Sequence, residues 1–148
     1  MTPEFPELNS FGTLLKFAIA LEQASAQLAR TASEHETCAS WQDDLSSCAK
    51  KHDKRGKQLE RLRRERLNEV VLEKISGMDR SNYVPELNLS GDAKQIVEIV
   101  AAAEDKAARF YDDAAKIAAH VLTGTEKTFQ KLAGGNIELG TILRAKVS

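Results

Sequence analysis

A carboxylate in the middle of an apolar helical seam constrains this chain more than any other feature. Between Asp92 and Leu122, steps of three and four residues give Val97, Val100, Glu104, Ala107, Tyr111, Ala114, Ala118 and Val121. That spacing marks the core-facing stripe of a long helix. Glu104 therefore faces a core, and it needs a partner there, because an unpaired buried charge is too costly to keep. A second seam repeats the arrangement with Phe11, Leu15, Ala18, Glu22, Ser25, Ala29 and Ala32, flanked by Leu14, Leu21 and Leu28. It predicts a helix over about 10–34, capped by Asn9 or Ser10.

Another helix is expected from 39 to 75, since nothing before Gly77 stops it, with Leu45, Cys48, His52, Arg55 or Gly56, Leu59, Leu62 and Arg66 on its seam. At full length it would span ~55 Å, against ~37 Å for the first helix. The excess cannot pack on the same neighbours. A break is expected near Asn68, with Glu69–Ile75 folded back as a short helical turn. Residues 77–90 form the one long connection, and Tyr83, Pro85, Leu87 and Leu89 give it something to bury. Extended, such a segment reaches ~45–50 Å, enough to cross a bundle and set the next helix parallel to the last. Ser90 is then expected to cap a third helix over 91–122, and Thr123 or Thr125 a fourth over 125–145. Phe129, Leu132, Asn136, Leu139 and Leu143 make the fourth seam. Gly134-Gly135 interrupts it, at about 1 kcal/mol per glycine against alanine, which predicts a kink or fraying.

These elements account for residues 10–148 as a single all-α domain behind an N-terminal arm at 1–9. A net charge of −1 gives no bulk electrostatic reason for a nucleic-acid or anionic-membrane partner. No apolar run approaches the roughly 20 residues of a membrane span. The first residues carry prolines and acids where a signal peptide would carry a basic region and an apolar block, so a cytoplasmic protein is expected. Cys38 and Cys48, on one helix, would lie ~15 Å apart and remain reduced.

A weak internal repeat ties the helices into two pairs. Glu22-x-x-Ser25-x-x-Leu28-Ala29 answers Glu104-x-x-Ala107-x-x-Phe110-Tyr111, and Leu45-x-x-Cys48-Ala49 answers Phe129-x-x-Leu132-Ala133, at offsets of 82 and 84 residues. Two helix pairs, a long crossover and a mid-seam glutamate in each odd helix resemble the ferritin-like superfamily, its rubrerythrin-like members above all. The resemblance covers nearly the whole chain, from Phe11 to Leu143, and implies a four-helix bundle of two pairs joined by a crossover. In that family the odd-helix glutamates and a Glu-x-x-His on each even helix hold two iron or manganese ions. Glu22 and Glu104 match the odd-helix ligands. The even helices present His52 and Arg55, and Asn136 and Leu139, so four of the six ligands are missing. Arg55 is permanently protonated and cannot bind metal.

The reading that follows is a core polar cluster of Glu22, His52, Arg55, Glu104, Tyr111 and Asn136 in place of the metal pair. It makes the protein a non-catalytic bundle with a lapsed di-metal site and no cofactor, retained as a binding or protein-interaction module. The alternative is an iron- or manganese-dependent oxidoreductase or iron-handling protein with a reduced site at Glu22, His52 and Glu104. A third is a nucleic-acid-associated protein acting through the basic stretch 50–66, which has neither interleaved aromatics nor a groove-reading motif. No Ser-His-Asp order, glycine-rich phosphate loop or zinc spacing is present. His35 and His120 are expected at the surface, and a homodimer through helices 1 and 2 is expected to cover Phe5 and Leu8 of the arm.

Overall fold

The structure, a computed structural model, describes residues 4–66 and 72–148. It is an all-α four-helix bundle of α1 (Phe11–Glu34), α2 (Gln42–Arg66), α3 (Ala93–Val121) and α4 (Thr125–Val147). Packing is closest within the pairs α1–α2 and α3–α4, and α1 also rests on α3. No helix among the described residues is long and apolar enough to cross a membrane.

Two apolar clusters show how the helices run. One joins Phe11, Leu15 and Phe17 of α1 to Leu59 late in α2, Phe110 and Ala114 late in α3, and Phe129 early in α4. The other joins Ala29 and Ala32 late in α1 to Leu45 and Cys48 early in α2, Val97 and Val100 early in α3, and Leu139 and Leu143 late in α4. Helix α1 is therefore antiparallel to α2 and α3, and α2 runs parallel to α3, as a full-length crossover requires. That crossover buries Met78 and Tyr83 in the first cluster and lays Leu89 on the second. Tyr83 meets the Phe110 ring edge-on at 5.5 Å and donates its hydroxyl to Asp113 at 2.7 Å, while Lys106 donates to the Val84 carbonyl. Burial and the Asp113 carboxylate push the Tyr83 phenol well above its ordinary range, so it remains a donor.

Both odd helices open with a capping box. Ser10 pairs with Thr13, and Asp92 with Gln95, at the same offset of 82 residues that relates Glu22 to Glu104. Asp92, rather than Ser90, caps α3 because Gly91 intervenes in the left-handed region at φ +104°. A Cβ there would meet the Gln95 Oε1 that closes the box at 2.2 Å. Neither Thr123 nor Thr125 caps α4. Gly124 holds that position without a side-chain cap, and the Glu126 carboxylate accepts from its N–H at 2.7 Å.

Further expectations meet the structure as follows. The second helix does not span 39–75: a 3₁₀ turn over Glu36–Trp41 leads into α2, whose described part ends at Arg66. The expected break near Asn68 lies outside the described residues. Within 73–75 the chain is not helical, because Lys74 bridges Ser10 and the Glu73 carbonyl accepts the N–H of Phe11 at 2.8 Å. That contact satisfies an N–H that the first turn of α1 leaves without a helical partner. Helix α4 runs unbroken through Gly134-Gly135, so the two glycines do not end it. Finally, the arm has a home in its own chain. Phe5 packs on Phe17 at 5.1 Å and Leu8 is buried, so neither waits for a second copy to cover it.

The crossover is thus part of the core. Tyr83→Ala should cost ~3–5 kcal/mol in chemical denaturation, whereas Leu72→Ala, at a position 86% exposed, should be close to neutral. Equal small effects would show that the crossover contributes little to the bundle.

Candidate functional site: a buried polar layer

Between the two apolar clusters lies a layer to which all four helices contribute. The seam of α1 brings Glu22 into it, α2 brings His52 and Arg55, α3 brings Glu104 and Tyr111, and α4 brings Asn136. All six are buried, with Glu104 and Asn136 at 0% exposure and Arg55 the most exposed at 9%. The structure brings together every residue of the cluster expected from the seams.

His52 is the centre of the layer. Its Nδ1 lies 2.6 Å from Glu22 Oε1 and its Nε2 lies 2.6 Å from Glu104 Oε2. A neutral imidazole has one donor and one acceptor, and would turn a lone pair on one of these carboxylates. With both glutamates ionised, only the imidazolium donates to both. Burial alone would lower the His52 pKa, but hydrogen bonds with Cys48, Glu104 and Glu22 outweigh it and hold the pKa well above 6.5. For Glu22, burial favours the acid, yet the hydrogen bond and charge of His52, helped by Arg55 and Tyr111, keep the pKa below 4.5. Tyr111 donates to Glu22 Oε2, and burial together with the Glu22 charge pushes its phenol well upward.

The remaining contacts close a ring. Asn136 Nδ2 donates to Glu104 Oε1 at 2.8 Å, and Asn136 Oδ1 accepts from Arg55 Nη2 at 2.7 Å. Arg55 Nη2 also donates to the Leu132 carbonyl at 3.1 Å, and its Nε pairs with Glu22 Oε1 by charge at 3.5 Å. That Nε makes no hydrogen bond among the described residues. The Arg55 guanidinium also lies 5.4 Å from the centre of the Tyr111 ring, a cation–π arrangement. Two carboxylates face two cations, so the layer is neutral with every charge in place. A glycine of the paired even helix faces each carboxylate: a Cβ at Gly56 would stand 3.6 Å from the Glu22 Cβ, and one at Gly140 would stand 3.6 Å from the Glu104 Cβ.

The seams did not single out Cys48 as a member of the site. Its Sγ lies 3.8 Å from Glu104 Oε2, and Cys48, His52 and Glu104 offer three ligating atoms within 4.8 Å of one another. The signal was the spacing from Cys48 to His52, one helical turn on the same face. Burial pushes the Cys48 thiol upward, which keeps it protonated. Cys38 is buried and also free, while His35 and His120 are exposed. The basic stretch lies on the solvated face of α2, with Lys50, Lys51, Lys54, Lys57, Arg61 and Arg64 exposed and Arg55 turned inward.

A pair of divalent ions does not fit these residues. Such a centre draws on four carboxylates and two imidazoles, whereas the layer supplies two carboxylates, one imidazole engaged at both nitrogens, and a guanidinium.

The pKa shifts set a pH window. His52 is raised, so its contribution is complete below 6.5 and is lost as pH climbs through the folded value. Glu22 is lowered, so its contribution is complete above 4.5 and is lost as pH falls through the folded value. Thermal stability should peak between about pH 4.5 and 6.5 and decline on both sides, and His52→Gln should flatten the alkaline limb. A parent and variant that lose stability in parallel above pH 6.5 would contradict the imidazolium assignment.

Protein-family models, curated proteins and solved structures provide no match to this chain, so what the polar layer does is read from its own chemistry.

Proposed function

We propose that the chain is a non-catalytic, ferritin-like bundle in which a fixed Arg–His–Glu network stands where a di-metal centre would sit, and that it serves as a binding module. The observation that supports this is the closed ring through Glu22, His52, Glu104, Asn136 and Arg55. Both carboxylates are neutralised by groups of the chain itself, and a catalytic acid–base pair would instead need one partner left free for substrate. Arg55 in particular supplies, from within the bundle, positive charge that metal would otherwise bring.

One observation favours a second reading. The Cys48 thiol beside His52 Nε2 and Glu104 gives three donors suited to a single zinc or iron ion, with Glu22 on the other ring nitrogen as the carboxylate that orients a metal-binding histidine. This replaces the set Glu22, His52 and Glu104 expected for a reduced site with one in which Glu22 lies outside the ligands.

The two readings differ in what removes stability. If Arg55 neutralises the site, Arg55→Ala should cost ~3–5 kcal/mol, the usual penalty for leaving a buried charge without its partner. The triple variant Glu22→Gln, Glu104→Gln, Arg55→Met should recover much of that loss, with His52 neutral between two amides. Chelator should leave the parent melt unchanged. A mild loss in Arg55→Ala, together with a parent that carries near-stoichiometric metal and melts earlier in chelator, would overturn the lapsed-site reading in favour of the single-ion one.

A further inference from the structure

We propose that the groove between α2 and α4 binds an amphiphilic anion, with its head on Arg55 and its tail on the apolar floor. The inference rests on reading the bundle as a binding module and names the class of ligand. Helices α2 and α4 meet less closely than the helices within each pair, and the space between them is a groove of about 540 Å³. That lies within the ~300–1,000 Å³ usual for small-molecule sites.

Its lining has two chemistries. Lys51, Lys54 and Lys131 stand with Arg55 around the groove, against the single carboxylate of Glu138. Leu139 and Ile142 form apolar wall, and Ile142 is 40% exposed. An excess of cations beside an apolar strip is complementary to an anionic head joined to a hydrocarbon tail, and to neither part alone.

Arg55 makes the groove more than a surface depression. Its side chain is only 11% exposed, and its Nη2 is committed to Asn136 and to the Leu132 carbonyl. Nη1 makes no hydrogen bond among the described residues, while the side chain lines the groove. Gly135 lines the groove beside it, where a Cβ would lie 4.0 Å from Nη1. The guanidinium thus offers its Nη1 edge to a ligand while Nη2 holds the polar layer. Charge-assisted hydrogen bonds to such an edge suit a carboxylate or a phosphate monoester equally.

The probes are dodecanoate and dodecyl phosphate, titrated calorimetrically below their micelle concentrations, with dodecyltrimethylammonium as the cationic counterpart. One anion should bind per chain, and more weakly as salt is raised. The relative affinity of the two anions identifies the preferred head. Lys54→Glu with Lys131→Glu, both exposed, should weaken binding at least ~10-fold without shifting the thermal melt. Gly135→Leu should abolish binding by filling the groove, while Arg55 keeps its contacts to Asn136. Equal binding of the cationic amphiphile, or full affinity in the charge-reversed variant, would reduce the effect to apolar adsorption and overturn the inference. A parent protein that is metal-free and insensitive to chelator but binds neither anion would overturn it too, with the lapsed-site reading intact.

Discussion

One imidazolium held between two carboxylates is the interaction on which the bundle depends. His52 joins Glu22 of α1 to Glu104 of α3 through hydrogen bonds of 2.6 Å on each side, in a layer where neither glutamate is more than 1% exposed. Removing such charges from water costs several kcal/mol per ion, and the cost is met only when every partner is in register. The layer therefore fixes the relative heights of the four helices more sharply than the apolar clusters above and below it could. Alanine- and leucine-rich seams tolerate sliding and repacking; a ring of charges does not. A buried ion network of this kind contributes little net stability compared with well-packed apolar residues, so its value lies in specificity or in function.

The two helix pairs are alike in framework and unlike in chemistry. Each odd helix begins with a capping box and carries a glutamate twelve residues beyond its cap, and a glycine of the paired even helix faces each glutamate. At the positions related by 84 residues, however, α2 presents His52 and Arg55 where α4 presents Asn136 and Leu139. Both cations thus come from the first pair. The second contributes the amide that relays Arg55 to Glu104. This asymmetry neutralises the layer, and it also leaves one cation facing a groove.

Much of this was legible in the residues, because burial of a carboxylate leaves a mark that composition cannot hide. Glu22 and Glu104 sit on seams whose other members are Ala, Val, Leu and Phe, so their inward direction follows from helical periodicity alone. His52 and Arg55 follow from the seam of α2, and Asn136 from that of α4. What the residues could not give was set by tertiary partners. Cys48 reads as an ordinary small core residue until Glu104 is placed beside it. The helical pattern running toward Ile75 yields, over 73–75, to a pairing with the start of α1, a contact between segments far apart in sequence. The propensity cost of Gly134-Gly135 is real but small beside the packing of α4 on α3, and the helix continues.

The central claim is that His52 is doubly protonated at neutral pH, and the ring-nitrogen resonances of ¹⁵N-histidine-labelled protein report on it directly. The account predicts that at pH 7.5 both His52 nitrogens resonate as protonated imidazolium, with slowly exchanging N–H protons shifted far downfield by their carboxylate partners. A His52 ring with one bare nitrogen at that pH would contradict it.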